Sequence, residues 1–354
     1  MIEKGTYQRR RAAWIENSRL RVIVLEGGGH IAAIVDKTTG INPLWSPKWR
    51  SIEPAAYDPA RHPEYGAGAE SRLLSGIMGH NICLDFFGGP TDEEAAAGLT
   101  VHGEGPVVTY AIDDADGGMA MRADLPLAQL RFERQIDLED QRIRIRETVE
   151  NLAGHDRPVG WTQHVTLGPP FLEKGITQLR ASATRSQVFA HPFGDDDYLE
   201  KGASFDWPHA PRAGGGSVDL QGFTGLPASC AYTTHLMDPS REHAHFVAFS
   251  PRAQLAFGYV WRRADFPWMG IWEENLSRKN APWNGAEITR GMEFGVSPIP
   301  ETRRQMIERG SLFDTPGFRW IPAKTRVDVE YWAFVQHADA PVVPVVPIVP
   351  GALI

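Results

Sequence analysis

Residues 130–150 read Leu-Arg-Phe-Glu-Arg-Gln-Ile-Asp-Leu-Glu-Asp-Gln-Arg-Ile-Arg-Ile-Arg-Glu-Thr-Val-Glu, and this stretch decides the fold class. Leu130, Phe132, Ile136 and Leu138 alternate with Arg131, Glu133, Gln135 and Asp137. Beyond an acidic turn at Glu139-Asp140, Ile143, Ile145 and Val149 alternate with Arg142, Arg144, Arg146, Thr148 and Glu150. Side chains of a strand point alternately to its two faces, so period two on both sides of a turn predicts an antiparallel hairpin with one buried face. The arginines then belong to the solvent face, opposite acids, as cross-strand charge pairs rather than as a basic patch.

The same pattern extends outward in both directions. Upstream, Leu20 to Leu25 and Ile31 to Val35 flank Gly27-Gly28-Gly29 and predict a second hairpin, closed by Asp36-Lys37-Thr38-Thr39-Gly40. From Ile41 to about Ala69 the chain is irregular, and a segment that long in a compact fold is usually a functional loop or lid. Thr91 followed by Glu94 has capping-box spacing for a short helix ending near Gly98. Downstream, Trp161 to Leu167 reads as a strand stopped by Gly168-Pro169-Pro170, because proline has no N–H for a sheet ladder. Further strands are expected from His245 to Trp261, from Trp268 to Trp272 and from Val327 to Val335, with one helix over Arg303 to Arg309 ended by Gly310. High counts of glycine (35) and proline (27), placed between short apolar runs, favour many strands joined by tight turns. The expected class is all-β with few short helices. One β domain over residues 1–340 is expected, followed by a Pro/Val-rich tail over 341–354 that should run extended.

Composition bounds the function. At 42% hydrophobic and 23% charged residues, the chain of 354 residues can build a large soluble core. A net charge of -8 argues against a nucleic-acid partner, whose phosphates require a basic face. Only two cysteines occur, Cys83 and Cys230, which speaks against a disulfide framework or thiolate metal site and for a reducing compartment. Met1-Ile2-Glu3-Lys4 lacks the apolar core of a signal peptide, and no apolar run is long enough to span a bilayer. A cytoplasmic protein without a membrane partner is expected.

Three residues stand out as chemistry-bearing: His102 in a glycine-rich loop, His164 near the end of its strand, and Glu293 between Gly291 and Gly295. Either histidine alone is as readily a satisfied core residue, and Glu293 alone could cap a turn. The order of motifs adds weight: a hairpin ending in Asp36-Lys37-Thr38-Thr39-Gly40, then His102-Gly103, then Glu147-Thr148-Val149-Glu150-Asn151 leading through Arg157-Pro158 to His164. A late Met292-Glu293-Phe294-Gly295-Val296-Ser297-Pro298 precedes the last strand.

This order resembles the galactose mutarotase-like superfamily, which includes the aldose 1-epimerases, from about residue 15 to about residue 337. The resemblance implies a β-supersandwich of antiparallel strands with a sugar cleft, a small-molecule carbohydrate as partner and no cofactor. It implies Glu293 as the base that takes the anomeric hydroxyl proton, His164 as the acid that protonates the ring oxygen, and His102 as a group that hydrogen-bonds the same region and helps hold the open-chain carbonyl. It casts Arg72 and Asn81 as binders of sugar hydroxyls, although the family usually carries an adjacent Asn-Arg pair. Trp161, Trp268 and Trp272 could stack on a pyranose. Competing readings are a carbohydrate-binding protein without turnover, a glycoside hydrolase or lyase pairing Glu293 with Glu104 or Asp85, and a metal site around His243 and His245. The tail could also run across an interface between copies in a homo-oligomer.

Overall fold

The computed structural model describes residues 1–343; most of the tail expected to run extended, from residue 344 onward, lies outside the described residues. Two large antiparallel sheets dominate it. The first has twelve strands, in the order Glu3–Tyr7, Arg10–Glu16, Leu20–Leu25, Ile31–Asp36, His80–Asp85, Arg157–Leu167, Ile288–Gly295, Trp268–Asn275, Ser229–Met237, Ala183–Val188 and Ser204–Asp206, with Arg319–Ile321 pairing to the early part of Arg157–Leu167. The second has eight, in the order Gln178–Ala181, His243–Ser250, Leu255–Arg262, Arg326–His337, Arg142–Asn151, Leu130–Glu139, Gly118–Leu125 and Ala111–Ala115.

The hairpin that opened the sequence reading forms as expected, Leu130 facing Asn151 and Glu139 facing Arg142. Its charged face pairs as expected too: Arg144 bonds Glu330 (2.6 Å) and Arg146 bonds Asp137 (2.7 Å). Two polar residues sit on the buried face, at the positions the apolar series skips. Arg134 and Glu147 lie directly opposite each other and join at 2.7 Å with both side chains fully buried. The apolar and charged series read from the sequence assign neither of these two residues to a face.

One apolar core lies between the sheets. It takes Ile82, Leu84, Trp161, Val165, Met292 and Phe294 from the first sheet and Phe132, Ile136, Ile145, Tyr259 and Tyr331 from the second. The other face of the first sheet's centre is covered as well, by a separate cluster of Trp45, Leu73, Leu74, Cys83, Phe87, Tyr232, Trp272 and Trp283. The central strands are thus buried on both faces, and this hides some of them from a period-two reading: all nine residues of Ser229–Met237 are buried, and this strand was not anticipated. The run expected as one strand from His245 to Trp261 is two, His243–Ser250 and Leu255–Arg262, turning between them. The two expected helices form at Asp92–Ala96 and Arg303–Arg309, each with a complete capping box.

Candidate active site

Four neighbouring strands lay the candidate residues side by side. Asn81 faces His164 across one strand pair, and His164 faces Glu293 across the next. Residues directly opposite in an antiparallel pair project from the same face, so the three side chains form one row on the outer face of the first sheet. Gly270 continues the row beyond Glu293. The two glycines nearest Glu293 keep this row open. A Cβ on Gly291 would collide with the Glu293 carboxylate, and one on Gly270 would collide with the Tyr232 hydroxyl.

Within the row, His164 Nε2 lies 3.0 Å from Glu293 Oε1. The approach is close but poorly aligned, so Oε1 has no protein hydrogen bond. His164 Nδ1 is 3.1 Å from the Thr166 hydroxyl, which can donate to a bare ring nitrogen or accept from a protonated one. That partner holds the ring orientation through either protonation state. His164 and Glu293 are 4% and 3% exposed, deep enough that their charges act in a low-dielectric setting.

His102 enters from the loop after the Asp92–Ala96 helix, in a left-handed backbone conformation (φ 69°). Its ring stands 4.9 Å from that of His164 and remains half-buried, the outermost of the three. Nδ1 donates to the Phe87 carbonyl (2.5 Å), because a carbonyl can only accept. Nε2 is consequently the lone-pair nitrogen. Burial, and then the nearby charge of His164, lower the His102 pKa from 6.5 to about 3, so the ring stays neutral at pH 7. His102 thus offers an acceptor to a hydroxyl, and not the donor that holding an open-chain carbonyl would need.

The other expected residues divide. Asn81 joins the row, and both polar atoms of its amide are buried without a protein partner. Trp272 joins, 5.8 Å from the His164 ring, its indole N–H likewise unpartnered. Trp161 does not. It lies three positions before His164, an odd spacing that turns it to the opposite face, where it is fully buried and donates to Glu147 (3.0 Å) in the core between the sheets. Trp268 is also fully buried and donates to the Pro316 carbonyl. Arg72 sits on a short helix, Ser71–Leu74, and bonds the Pro54 carbonyl (3.3 Å); among the described residues it makes no hydrogen bond to the row. His243 and His245 lie in the second sheet, and no group of three metal-ligating side chains exists among the described residues.

The irregular segment from Ile41 contributes what the sequence did not specify. Trp45 stacks parallel on Trp283 at 5.8 Å, and Trp49 meets both edge-on. Trp283 in turn stands edge-on to Trp272. Trp45, Trp49 and Trp283, with Arg278 and Tyr232, are not among the residues the sequence singles out; Ser277-Arg278-Lys279 and Pro282-Trp283 within one strand connection are the available signal.

No family model matches the chain, and no curated protein matches it. Solved structures do. One, provisionally described as an aldose 1-epimerase from Klebsiella pneumoniae, superposes with a TM-score of 0.66 at 13% identity over 96% of this chain and 84% of its own. A galactose mutarotase-like protein from Clostridium acetobutylicum gives 0.62 at 12% identity, over 95% and 98%. Another galactose mutarotase-like protein, from Lactobacillus casei, gives 0.58 at 13% identity, over 92% and 100%. Identities this low establish architecture and leave chemistry to the residues. On two sheets, their strand order and these superpositions, the chain has the galactose mutarotase-like β-supersandwich fold.

Proposed function

We propose that the chain is an aldose 1-epimerase-type isomerase that interconverts sugar anomers by acid-base ring opening. The observation that carries this reading is the 3.0 Å pairing of His164 Nε2 with Glu293 Oε1 on one face, with His102 beside them. Opening a hemiacetal removes the proton of the anomeric hydroxyl and adds one to the ring oxygen. Both oxygens are bonded to the same carbon, so the base and the acid must be near neighbours. Glu293, with an unpartnered carboxylate oxygen, takes the hydroxyl proton. His164, protonated at Nε2 and held by Thr166, gives its proton to the ring oxygen, and the C1–O5 bond breaks. Rotation about C1–C2 presents the other carbonyl face, and the reverse transfers close the ring and restore both groups. His102 accepts from a neighbouring hydroxyl, Asn81 offers its amide to another, and Trp272 lines the apolar side of the ring.

The hydrolase reading loses support from the same geometry. It needs a second carboxylate facing Glu293 across the scissile bond. Asp85 is already bound to Arg157 (3.0 Å) and Arg303, and Glu104 accepts the Ala128 N–H (2.7 Å). Anomer exchange measured by NMR on a panel of aldoses tests the proposal. Acceleration over buffer that disappears in His164→Gln and Glu293→Gln supports it; a wild type that binds sugars without accelerating any of them makes the protein a binding module.

A further inference from the structure

Arg278 lies in the connection between Trp268–Asn275 and Ile288–Gly295, the strands that carry Trp272 and Glu293. Its guanidinium carbon sits 4.9 Å from the ring centre of Trp283 and 5.5 Å from those of Trp272 and Phe193. Trp272 also contacts His164, so the cation stands one indole away from the proposed acid. Its charge reaches His102, where it is one of the influences lowering that ring's pKa.

A guanidinium is planar and weakly hydrated. Aromatic faces can therefore hold its plane while its N–H edge stays free to bond. Among the described residues the edge is free, and only Nε approaches a carboxylate, Glu274 Oε2 at 3.6 Å, which is longer than a hydrogen bond. The other oxygen of Glu274 is engaged by the backbone N–H groups of Ser277 and Arg278, at 2.7 and 3.0 Å. Among the described residues no hydrogen bond ties the two terminal nitrogens, although the side chain is only 22% exposed. The hydroxyls of a neutral hexose can accept from such a fork, but only through single bonds to an uncharged acceptor. An anion gains more, because a carboxylate or phosphate meets the terminal fork with two parallel charge-assisted bonds. The chain's net charge of -8 would otherwise repel such a ligand, so the selection has to be local.

We propose that Arg278 is an anion subsite within the sugar site, receiving a carboxylate or phosphate at the end of the pyranose remote from its anomeric carbon. The preferred substrates are then acidic or phosphorylated sugars. This rests on the sugar-site reading above, but it concerns binding and is tested by binding.

Titration calorimetry with D-glucose, D-glucuronate and D-glucose 6-phosphate, on wild type, Arg278→Leu and Arg278→Lys, decides it. The expected result is that at least one charged sugar binds wild type about ten-fold or more tightly than glucose, the scale of one charge-assisted pair. Whichever charged sugar holds the advantage identifies the anion. Arg278→Leu should remove most of that advantage, and Arg278→Lys should keep part of it. No advantage for either charged sugar overturns the proposal. So does an Arg278→Leu variant that weakens all three sugars alike, which would make Arg278 a prop for the indoles. A protein that prefers a charged sugar yet interconverts no anomers sinks the isomerase reading and leaves the subsite standing.

Discussion

The two faces of the Arg157–Leu167 strand carry polar residues of similar kinds in opposite conditions. On the inner face, Gln163 accepts from His80 Nε2 (3.0 Å) and Arg134 (3.2 Å) and donates to Glu147 (2.6 Å). Glu147 also receives Arg134, Trp161 and Tyr331, so its carboxylate is saturated. On the outer face, one residue along, His164 makes a single well-formed bond, to Thr166, while Asn81 and one oxygen of Glu293 have no protein hydrogen bond. Buried polar groups are costly unless partnered. The inner set is complete and therefore structural; the outer set is incomplete in a way that a polyhydroxylated ligand would complete. The same strand thus supplies a brace and the proposed site, separated only by the parity of residue number.

The comparison can be broken most sharply at the outer face. His164→Gln and Glu293→Gln should each lower anomer exchange by about 10²–10⁴-fold, the usual worth of a positioned acid or base, with a nearly unchanged melting temperature. A large loss of stability instead would mean that these groups belong to the brace. At the inner face the reverse holds. Glu147→Ala strands the fully buried Arg134 charge, and a cost of about 3–5 kcal/mol in urea unfolding is expected. Replacing both Arg134 and Glu147 by apolar residues of similar volume should recover much of it.

Acid offers a third test. Burial holds His30 and His235 at about 3, below the ordinary 6.5. Unfolding restores the higher value, so below pH 6.5 the unfolded chain binds more protons than the folded one. Stability present above that pH should fall by about 1.4 kcal/mol per pH unit for each ring as pH drops toward about 3. Melts at pH 7, 6 and 5 measure the slope; a flat profile would mean that these rings are not held neutral by the fold. The smallest effect is expected at Asn81. Asn81→Ala should weaken sugar binding by roughly 0.5–1.5 kcal/mol and leave the unfolding free energy unchanged, because the amide has no protein partner to lose.

Much of the architecture was legible in the chain because strand alternation, turn chemistry and capping boxes act over a few residues. The hairpins at Leu20–Asp36 and Leu130–Asn151 and both capped helices came from such local signals. Reading failed where tertiary burial erased the alternation, as in Ser229–Met237, and it left Arg134 and Glu147 unplaced because their buried ion pair interrupts the apolar series. The orientation of Trp161 was readable, since its odd spacing from His164 already assigned it to the other face.

The sequence by itself determined that this is an all-β protein, that His164 lies in a strand ended by Gly168-Pro169-Pro170, and that Glu293 stands between glycines. Only the tertiary structure decided that Asn81, His164 and Glu293 share one row, that His102 and Trp272 close on it, and that Arg278 is held among indoles beside them. The physical reason is register. Alternation along a strand is set by neighbouring residues, whereas which residue meets which across a sheet is set by contacts between positions 83 and 129 residues apart here, and no local pattern encodes them.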